Sequence, residues 1–360
     1  MGACLYCTNE ANSVEHPLPA AFGEFKGAPL LVDRVCKQCN NARLGVLDEQ
    51  LARCGPEALM RLYYGVRGRS RHKEINPHYR RSAGGARLKM TSFDASLGLD
   101  LELEIIEGNQ VRQSRQIVFR EVSGSVKHLP IPEDMRNPDQ LRAAFEELGV
   151  GEIAEARVFY DPEETTWIEP LVRGVWPNIK FAEGELAATS YRAGATVRIE
   201  LTDRYFRAIA KIGFHYFLTQ FPTYSGSEPQ FGMIRGFIAD GGPVSLANEF
   251  IGERQHALIG QLRDGGRPDG WKGHIVAAEI NAQACLAHVQ LFVCEDFPPR
   301  IFTIKLASNV DNSRSSGCGH LYAYFEKEQE GKFSGEVHSL DYGSVPFSAP
   351  PLKPVVGEPD

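Results

Sequence analysis

Two Cys-x-x-Cys pairs near the start of the chain constrain its fold more than any other feature. Cys4 and Cys7 form the first pair, and Cys36 and Cys39 form the second after 28 intervening residues. Each pair supplies two thiolates from one tight turn, and together they can surround a Zn²⁺ ion at about 2.3 Å per sulfur. Buried free thiols are the alternative. We predict a structural zinc site, closed to substrate because all four coordination positions are filled by protein.

The composition is that of an ordinary globular protein and excludes a disordered or fibrous chain. Of the 360 residues, 42% are apolar and 24% are charged. No apolar run approaches the roughly 20 residues that a membrane span requires, and no export signal opens the chain. The eight cysteines therefore fit a reducing compartment. We expect a cytoplasmic protein without a membrane partner.

The charge is distributed unevenly along the chain. Up to Lys89 there are 14 basic and 8 acidic residues, whereas the remainder carries 25 basic and 38 acidic residues, for a net charge of −7. A basic end on an acidic protein is typical of a segment that faces a polyanion. A solvated linker is the alternative for the basic stretch that follows the cysteines.

Four segments are expected from the pattern of residues. They are a zinc-bearing module over 1–60, a basic arm over 61–95, an α+β domain with a mainly antiparallel sheet over 96–341, and a proline-rich tail over 342–360. Leu44, Leu47 and Leu51 recur at helical spacing and predict a helix after the second cysteine pair. Further helices are predicted over 138–148, 203–221 and 230–239, and strands over 97–106, 111–122, 156–160, 274–280, 284–294, 300–306 and 320–325.

The residues between and after the cysteine pairs add a second pattern. Glu15-His16-Pro17 lies in the insert, and Asn40-Asn41 follows the last cysteine at the mouth of the predicted helix. The run from Cys4 to Leu51 resembles the HNH endonucleases, the ββα-metal nucleases. It is closest to the subgroup that has four-cysteine zinc knuckles and Asn in place of the last His. The resemblance covers about one seventh of the chain.

The resemblance implies a role for each matching residue. His16 stands at the position of the general base, and Glu15 and Asn40 stand where the family holds a catalytic divalent ion, Mg²⁺ or Mn²⁺. Arg43 occupies a place where a basic residue commonly meets phosphate. These residue types suit metal-dependent phosphodiester hydrolysis, because His titrates near neutral pH and Mg²⁺ prefers hard oxygen ligands.

Other interpretations of the same residues remain open. Asn40 could be a helix N-cap, Glu15 a surface carboxylate and His16 a core or surface histidine. Glu15 and His16 are also neighbours, so a regular strand would direct them to opposite faces unless the chain bends at Pro17. The family's middle Asn, which orients the base, has no counterpart between His16 and Cys36, and Asp33 is the nearest polar residue.

Two functions follow from these patterns. The first is a metal-dependent HNH endonuclease that cuts DNA, in restriction, phage defence or a mobile element, with a homodimer or two successive nicks needed to break both strands. The C-terminal part would then recognise the target, dimerise or bind an activating ligand. The second is a zinc-stabilised nucleic-acid-binding protein without catalysis, which the missing middle Asn favours. In both, basic residues would contact phosphates; the candidates are Arg43, Arg61, Arg67, Arg69, Arg71 and Lys73.

Overall fold

The computed structural model describes residues 2–53, 55–64, 66, 88–94, 98–106, 110–132, 135–160, 162–179, 196–199, 201–254, 261–262, 272–293, 300–308, 316–324, 334–341 and 353–354. Its secondary structure is mixed α and β with a large, mostly antiparallel sheet, which confirms the predicted α+β class. No helix within these ranges combines the length and the apolar character needed to cross a bilayer.

The chain forms two compact units. The first unit contains 1–77, 81–86 and 200–360, and the second contains 78–80 and 87–199. The cysteine-bearing segment therefore shares a unit with the C-terminal part of the chain. Of the predicted tail, the two described residues form a short strand, and the others lie outside the described residues.

The first unit is built around a nine-stranded sheet with helices packed on it. The described strands of the whole unit, of which all but β1 and β3 belong to this sheet, are β1 (Val14–Glu15), β2 (Glu24–Lys26), β3 (Leu31–Val32), β11 (Ile251–Arg254), β12 (Gln261–Leu262), β13 (Gly273–Ile280), β14 (Ala284–Val293), β15 (Ile301–Ser308), β16 (Ser316–Tyr324), β17 (Ser334–Asp341) and β18 (Lys353–Pro354). Its helices are α1 (Gly45–Arg53), α2 (Pro56–Tyr63), α5 (Asp203–Gln220), α6 (Gly232–Asp240) and α7 (Ala247–Phe250).

The large sheet runs β12-β17-β16-β13-β14-β15-β11-β18, and β2 joins it by parallel pairing with β17. That pairing places the insert between the two cysteine pairs at the edge of the C-terminal sheet. β1 and β3 form a separate antiparallel pair, with Val14 opposite Val32 and Glu15 opposite Leu31.

The predicted helix over 203–221 is confirmed as α5, which lies at the centre of the first unit. Its residues are apolar nearly all round, as expected for a helix that is buried on several sides. Gly213 lets it approach the sheet, because a Cβ there would lie 2.9 Å from the Cβ of Ala287 on β14. Thr202 is the N-cap of α5, and Asp203 in its first turn forms an ion pair with Arg207 at 3.2 Å.

Within its described residues, the second unit carries two smaller antiparallel sheets and two helices. Its elements are β4 (Leu88–Asp94), β5 (Leu99–Ile106), β6 (Gln110–Gln113), β7 (Gln116–Glu121), β8 (Val126–Pro130), α3 (Pro138–Leu148), β9 (Ile153–Phe159), α4 (Thr165–Arg173) and β10 (Thr196–Ile199). The sheets have the orders β10-β4-β5-β6 and β8-β7-β9. Ile117, Phe119, Leu141 and Ile168 are among the fully buried residues of its core.

A buried carboxyl where α2 meets α5 makes stability depend on pH. The Tyr205 hydroxyl donates to Oε1 of Glu57 at 2.8 Å, and burial raises the pKa of Glu57 from 4.5 to about 6. A raised carboxyl pKa means that the folded state binds the proton more tightly. The contribution of Glu57 is therefore favourable at low pH and is lost as pH rises through about 6, by about 2 kcal/mol.

Replacing Glu57 by Gln should remove this dependence. When the pH is raised from 4 to 7.5, we expect the unfolding free energy of Glu57→Gln to rise by about 2 kcal/mol relative to that of the wild-type protein. Urea denaturation at the two pH values measures it, with the exposed Glu249→Gln as the matched control. A constant difference across this range would contradict the prediction.

Candidate functional site

The four cysteines of the two pairs come together in the fold. Their sulfurs all lie within 4.8 Å of one another, and Sγ of Cys7 is 3.6 Å from Sγ of Cys36. Tetrahedral coordination at about 2.3 Å per sulfur requires sulfur–sulfur separations of about 3.8 Å. The cluster can therefore hold a metal ion such as zinc.

Backbone amides and burial prepare these sulfurs for a cation. The amides of Tyr6 and Cys36 donate to Sγ of Cys4 at 3.4 and 3.2 Å, and the amide of Cys39 donates to Sγ of Cys36 at 3.3 Å. Burial and the neighbouring thiols raise the pKa of Cys39. Without a cation the Cys39 thiol keeps its proton, whereas a bound metal displaces it, so metal binding should release a proton there.

The chain continues from Cys39 directly into a helix. Its first turn, Cys39–Leu44, is a π-helix, and α1 follows without a break to Arg53. Leu44, Leu47 and Leu51 are buried, which confirms the helical spacing predicted for them. A π turn of this kind is rare and occurs often at functional sites.

Asn40 ties the start of this helix to β1. Its side-chain amide donates to the carbonyl oxygen of Val14 at 3.3 Å and to Oγ of Ser13 at 3.4 Å. Asn40 does not act as a helix cap, because the cap position is Gln38 and no side-chain cap bond is made there. These two donated bonds leave the Oδ1 oxygen of Asn40 as the atom that could ligate a metal.

Glu15 is buried and paired with a lysine of α5. The Lys211 ammonium lies 2.5 Å from Oε1 of Glu15, and the two side chains are 0% and 5% exposed. Burial alone would raise the pKa of Glu15, but Lys211 and His215 outweigh it and lower the pKa to about 2. Glu15 is therefore ionised, and it is not the surface carboxylate of the alternative interpretation. Lys211 and His215 both lie closest to Oε1 of Glu15, so Oε2 is the oxygen that could ligate a metal.

Lys211 holds a second carboxylate on α1. Its Nζ donates to both oxygens of Asp48, at 2.6 and 2.8 Å. Burial opposes the charge on Lys211, but the two carboxylates outweigh it and raise its pKa. For Asp48, burial and the charge of Glu15 outweigh the ammonium and raise the pKa to about 6. One ammonium thus links β1, which carries Glu15, to the helix that follows the second cysteine pair.

His215 extends this network by one turn of α5. Its Nδ1 lies 3.6 Å from Oε1 of Glu15, and its Nε2 forms a hydrogen bond of 2.7 Å with the hydroxyl of Tyr6. Burial lowers the pKa of His215, although Glu15 acts in the opposite direction. We call Tyr6, Glu15, Asp48, Lys211 and His215 the buried network. It connects the first cysteine pair to α5.

His16 faces a different environment from its neighbour. Glu15 points into the buried network, whereas His16 is half-buried and lines a cleft that opens to solvent. β1 ends at Glu15, so His16 lies just outside the strand. The structure therefore brings Asn40 to β1, and it directs Glu15 and His16 to separate surroundings.

A chain of hydrogen bonds holds the wall of this cleft against the large sheet. The amide of Phe292 donates to Nδ1 of His274 at 3.2 Å, so Nε2 carries the proton and donates to the Tyr324 hydroxyl at 2.6 Å. Tyr324 in turn donates to the carbonyl oxygen of Phe22 at 2.5 Å. Burial lowers the pKa of His274 to about 3, which keeps the imidazole neutral and fixes this direction.

The basic residues expected at phosphate differ in their placement. Arg43 keeps 41% of its side chain exposed while donating to the carbonyl oxygen of Tyr6 at 3.1 Å, so it can still meet a polyanion. Arg61 is 2% exposed and donates to the backbone carbonyls of Ala52 and Val66, so we remove it from the expected phosphate contacts. The other four, Arg67, Arg69, Arg71 and Lys73, lie outside the described residues.

The buried network was not predicted from the sequence. The sequence does show two polar residues, Lys211 and His215, four residues apart on an otherwise apolar helix. Nothing in the sequence indicates that their partners are Glu15 and Asp48. A lysine without exposure needs an anionic partner, so the pattern implied only that one exists.

No protein-family profile, no curated protein and no solved structure matches this chain. The function must therefore be argued from the residues and their geometry.

Proposed function

We propose that this protein is a metal-dependent endonuclease of the HNH type that hydrolyses DNA phosphodiester bonds. The observation that carries the proposal is the hydrogen bond from Asn40 to the carbonyl of Val14. It joins the helix after the second cysteine pair to β1, which ends at Glu15 immediately before His16, as a strand–helix nuclease site requires. A zinc ion in the four-cysteine cluster would fix both ends of this arrangement.

His16 is the proposed general base. It is half-buried at the mouth of an open cleft, so a water and a phosphodiester can reach it. An imidazole there would take a proton from the attacking water. Arg43 lies on the exposed side of the helix start and would bind phosphate by its remaining N–H groups.

Glu15 and Asn40 are the proposed ligands of a catalytic divalent ion. Oε2 of Glu15 and Oδ1 of Asn40 are hard oxygen donors, and Mg²⁺ is commonly held by one or two protein oxygens with water in its other positions. A bound Mg²⁺ or Mn²⁺ would stabilise negative charge on the leaving oxygen. The chain's own contribution is to keep Glu15 ionised through Lys211 and to orient Asn40 through its two donated hydrogen bonds.

His16→Ala should abolish cleavage without unfolding the protein. Loss of a general base typically lowers the rate about 10²- to 10⁴-fold. The measurement is the nicking of supercoiled plasmid with Mg²⁺ or Mn²⁺, and His338→Ala is the control because His338 is also a partly exposed histidine. Equal nicking by His16→Ala and the wild-type protein would remove His16 from the mechanism.

A zinc-stabilised nucleic-acid-binding protein is the second candidate. The observation that favours it is the burial of Glu15, whose Oε1 is already paired with Lys211. The same plasmid assay separates the two functions. DNA binding without cleavage by the wild-type protein under any divalent ion would support the binding protein.

A further inference from the structure

Arg235 of α6 is a charged side chain without a counter-ion among the described residues. It is half-buried, and its Nε is shielded from solvent and makes no hydrogen bond to the described part of the chain. Every other arginine whose side chain is described has a hydrogen bond, an ion pair or an aromatic contact. The two Nη groups of Arg235 are neither shielded nor bonded to a described residue, so an anion from solvent can reach them.

The first cysteine pair brings a second arginine to the same helix. Nη1 of Arg43 donates to the carbonyl oxygen of Tyr6 and lies 4.0 Å from the carboxylate of Asp240, the last residue of α6. Arg235 precedes Asp240 by five residues, which is about 7.5 Å along a helix axis. Burial has the largest effect on the pKa of Tyr6 and raises it, whereas the charge of Arg235 acts in the opposite direction. Both guanidinium groups therefore lie near Tyr6.

Asp240 does not neutralise these two arginines. Its side chain is 76% exposed, and an exposed ion pair of 4.0 Å contributes little in water. Two arginines from different helices instead suit a polyanion that carries charge at regular intervals. A strand of duplex DNA has one phosphate for about every 3.4 Å of helix axis, and Arg binds phosphate through its planar N–H groups.

We propose that Arg235 and Arg43 bind the phosphate backbone of DNA beside the proposed cleavage site. This inference rests on the proposed function, because Asn40, three residues before Arg43, is a proposed ligand of the catalytic ion. Arg235 contacts phosphate through its Nη groups, and such a contact positions DNA without reading its sequence. The DNA-binding surface then extends from the cysteine-bearing segment onto α6.

The salt dependence of DNA binding tests this surface. Each phosphate that a protein neutralises contributes about 0.9 to the slope of log K against log salt concentration. Arg235→Gln should lower this slope by about 1 and weaken binding about tenfold, by the same factor for two duplexes of unrelated sequence. Adding Arg43→Gln should lower the slope by about 2 in total. Fluorescence anisotropy of labelled duplexes, without added divalent ion, measures both quantities.

Two further variants show whether the charge of Arg235 is what matters. Arg235→Lys keeps the charge and should retain most of the slope. Arg53→Gln is the matched control, because Arg53 is also a partly exposed arginine of the first unit but is paired with Glu49 at 2.7 Å. The phosphate contact is overturned by an unchanged slope in Arg235→Gln, by an equal loss in Arg235→Lys or Arg53→Gln, or by a wild-type protein that does not bind DNA.

The binding and nicking assays distinguish failure of this surface from failure of the proposed function. A lowered slope in Arg235→Gln, with no plasmid nicking by the wild-type protein, would leave the phosphate contact standing and refute the nuclease. Plasmid nicking by the wild-type protein, with the same slope in Arg235→Gln, would refute the contact and leave the nuclease standing.

Discussion

Cys36→Ser should cost the protein both its metal and the fold of its N-terminal segment. Sγ of Cys36 lies 3.6 Å from Sγ of Cys7 and accepts the amide of Cys39, so its loss opens the cluster on two sides. Structural zinc contributes directly to folding free energy, and globular proteins have only about 5–15 kcal/mol in total. We expect a loss of at least about 3 kcal/mol and a fall from one zinc per chain to near zero.

Metal analysis by mass spectrometry and urea denaturation measure the two parts of this prediction. Cys318→Ser is the control, because Cys318 is a half-buried thiol on β16 and lies outside the cluster. Hydrogen exchange should show lost protection in residues next to the cluster, including Val35 and Leu44, which are fully buried in the same core. A folded wild-type protein with no bound metal would refute the assignment of the cluster.

Lys211→Met should destabilise the protein by about 3–5 kcal/mol at pH 7.5. The substitution keeps much of the apolar length of the side chain but leaves Glu15 and Asp48 without their shared cation. Breaking a buried ion pair by removing one partner is more costly than replacing the whole pair, because the remaining charge is uncompensated. Urea denaturation measures the loss, with Lys305→Met as the control at an exposed lysine of β15.

A triple variant tests the cause of this loss. Adding Glu15→Gln and Asp48→Asn to Lys211→Met removes the two negative charges, and we expect more than half of the lost stability to return. If Lys211→Met were as stable as the wild-type protein, or if the triple variant were no better than the single one, the ammonium would not be what holds the two carboxylates.

Much of the secondary structure could be predicted from local pattern. The helix 138–148 has an Asn137 cap, a proline at its first position and Gly149 after its end, and it is found as α3 with these bounds. The strands of the large sheet were expected from their alternating or apolar runs. The predicted strand 111–122 was partly wrong, because the chain divides at Ser114 and Arg115 into β6 and β7. Two buried polar side chains, Ser114 and Gln116, bond there to the carbonyl of Glu102.

The arrangement of the site could be predicted only in part. The spacing of the cysteines carries its own geometry, so the cluster was foreseen from Cys4 to Cys39. The partners of Glu15 could not be predicted, because Glu15 and Lys211 are brought together by tertiary packing and no short-range sequence pattern indicates their contact. Arg61 was wrongly predicted for a related reason: it lies in a basic stretch and so was expected to contact phosphate, but it donates to the backbone carbonyls of Ala52 in α1 and of Val66.

The parallel pairing of β2 with β17 has a consequence for the order of assembly during synthesis. A nascent chain that has emerged only as far as Ile199 already carries all four clustered cysteines, Glu15 and His16. It lacks Lys211, which neutralises Glu15, and Ser334–Glu336, which pair with the insert. The proposed site is therefore completed only after Glu336 has left the ribosome, and a product truncated before Lys211 would carry the four cysteines without the rest of that site.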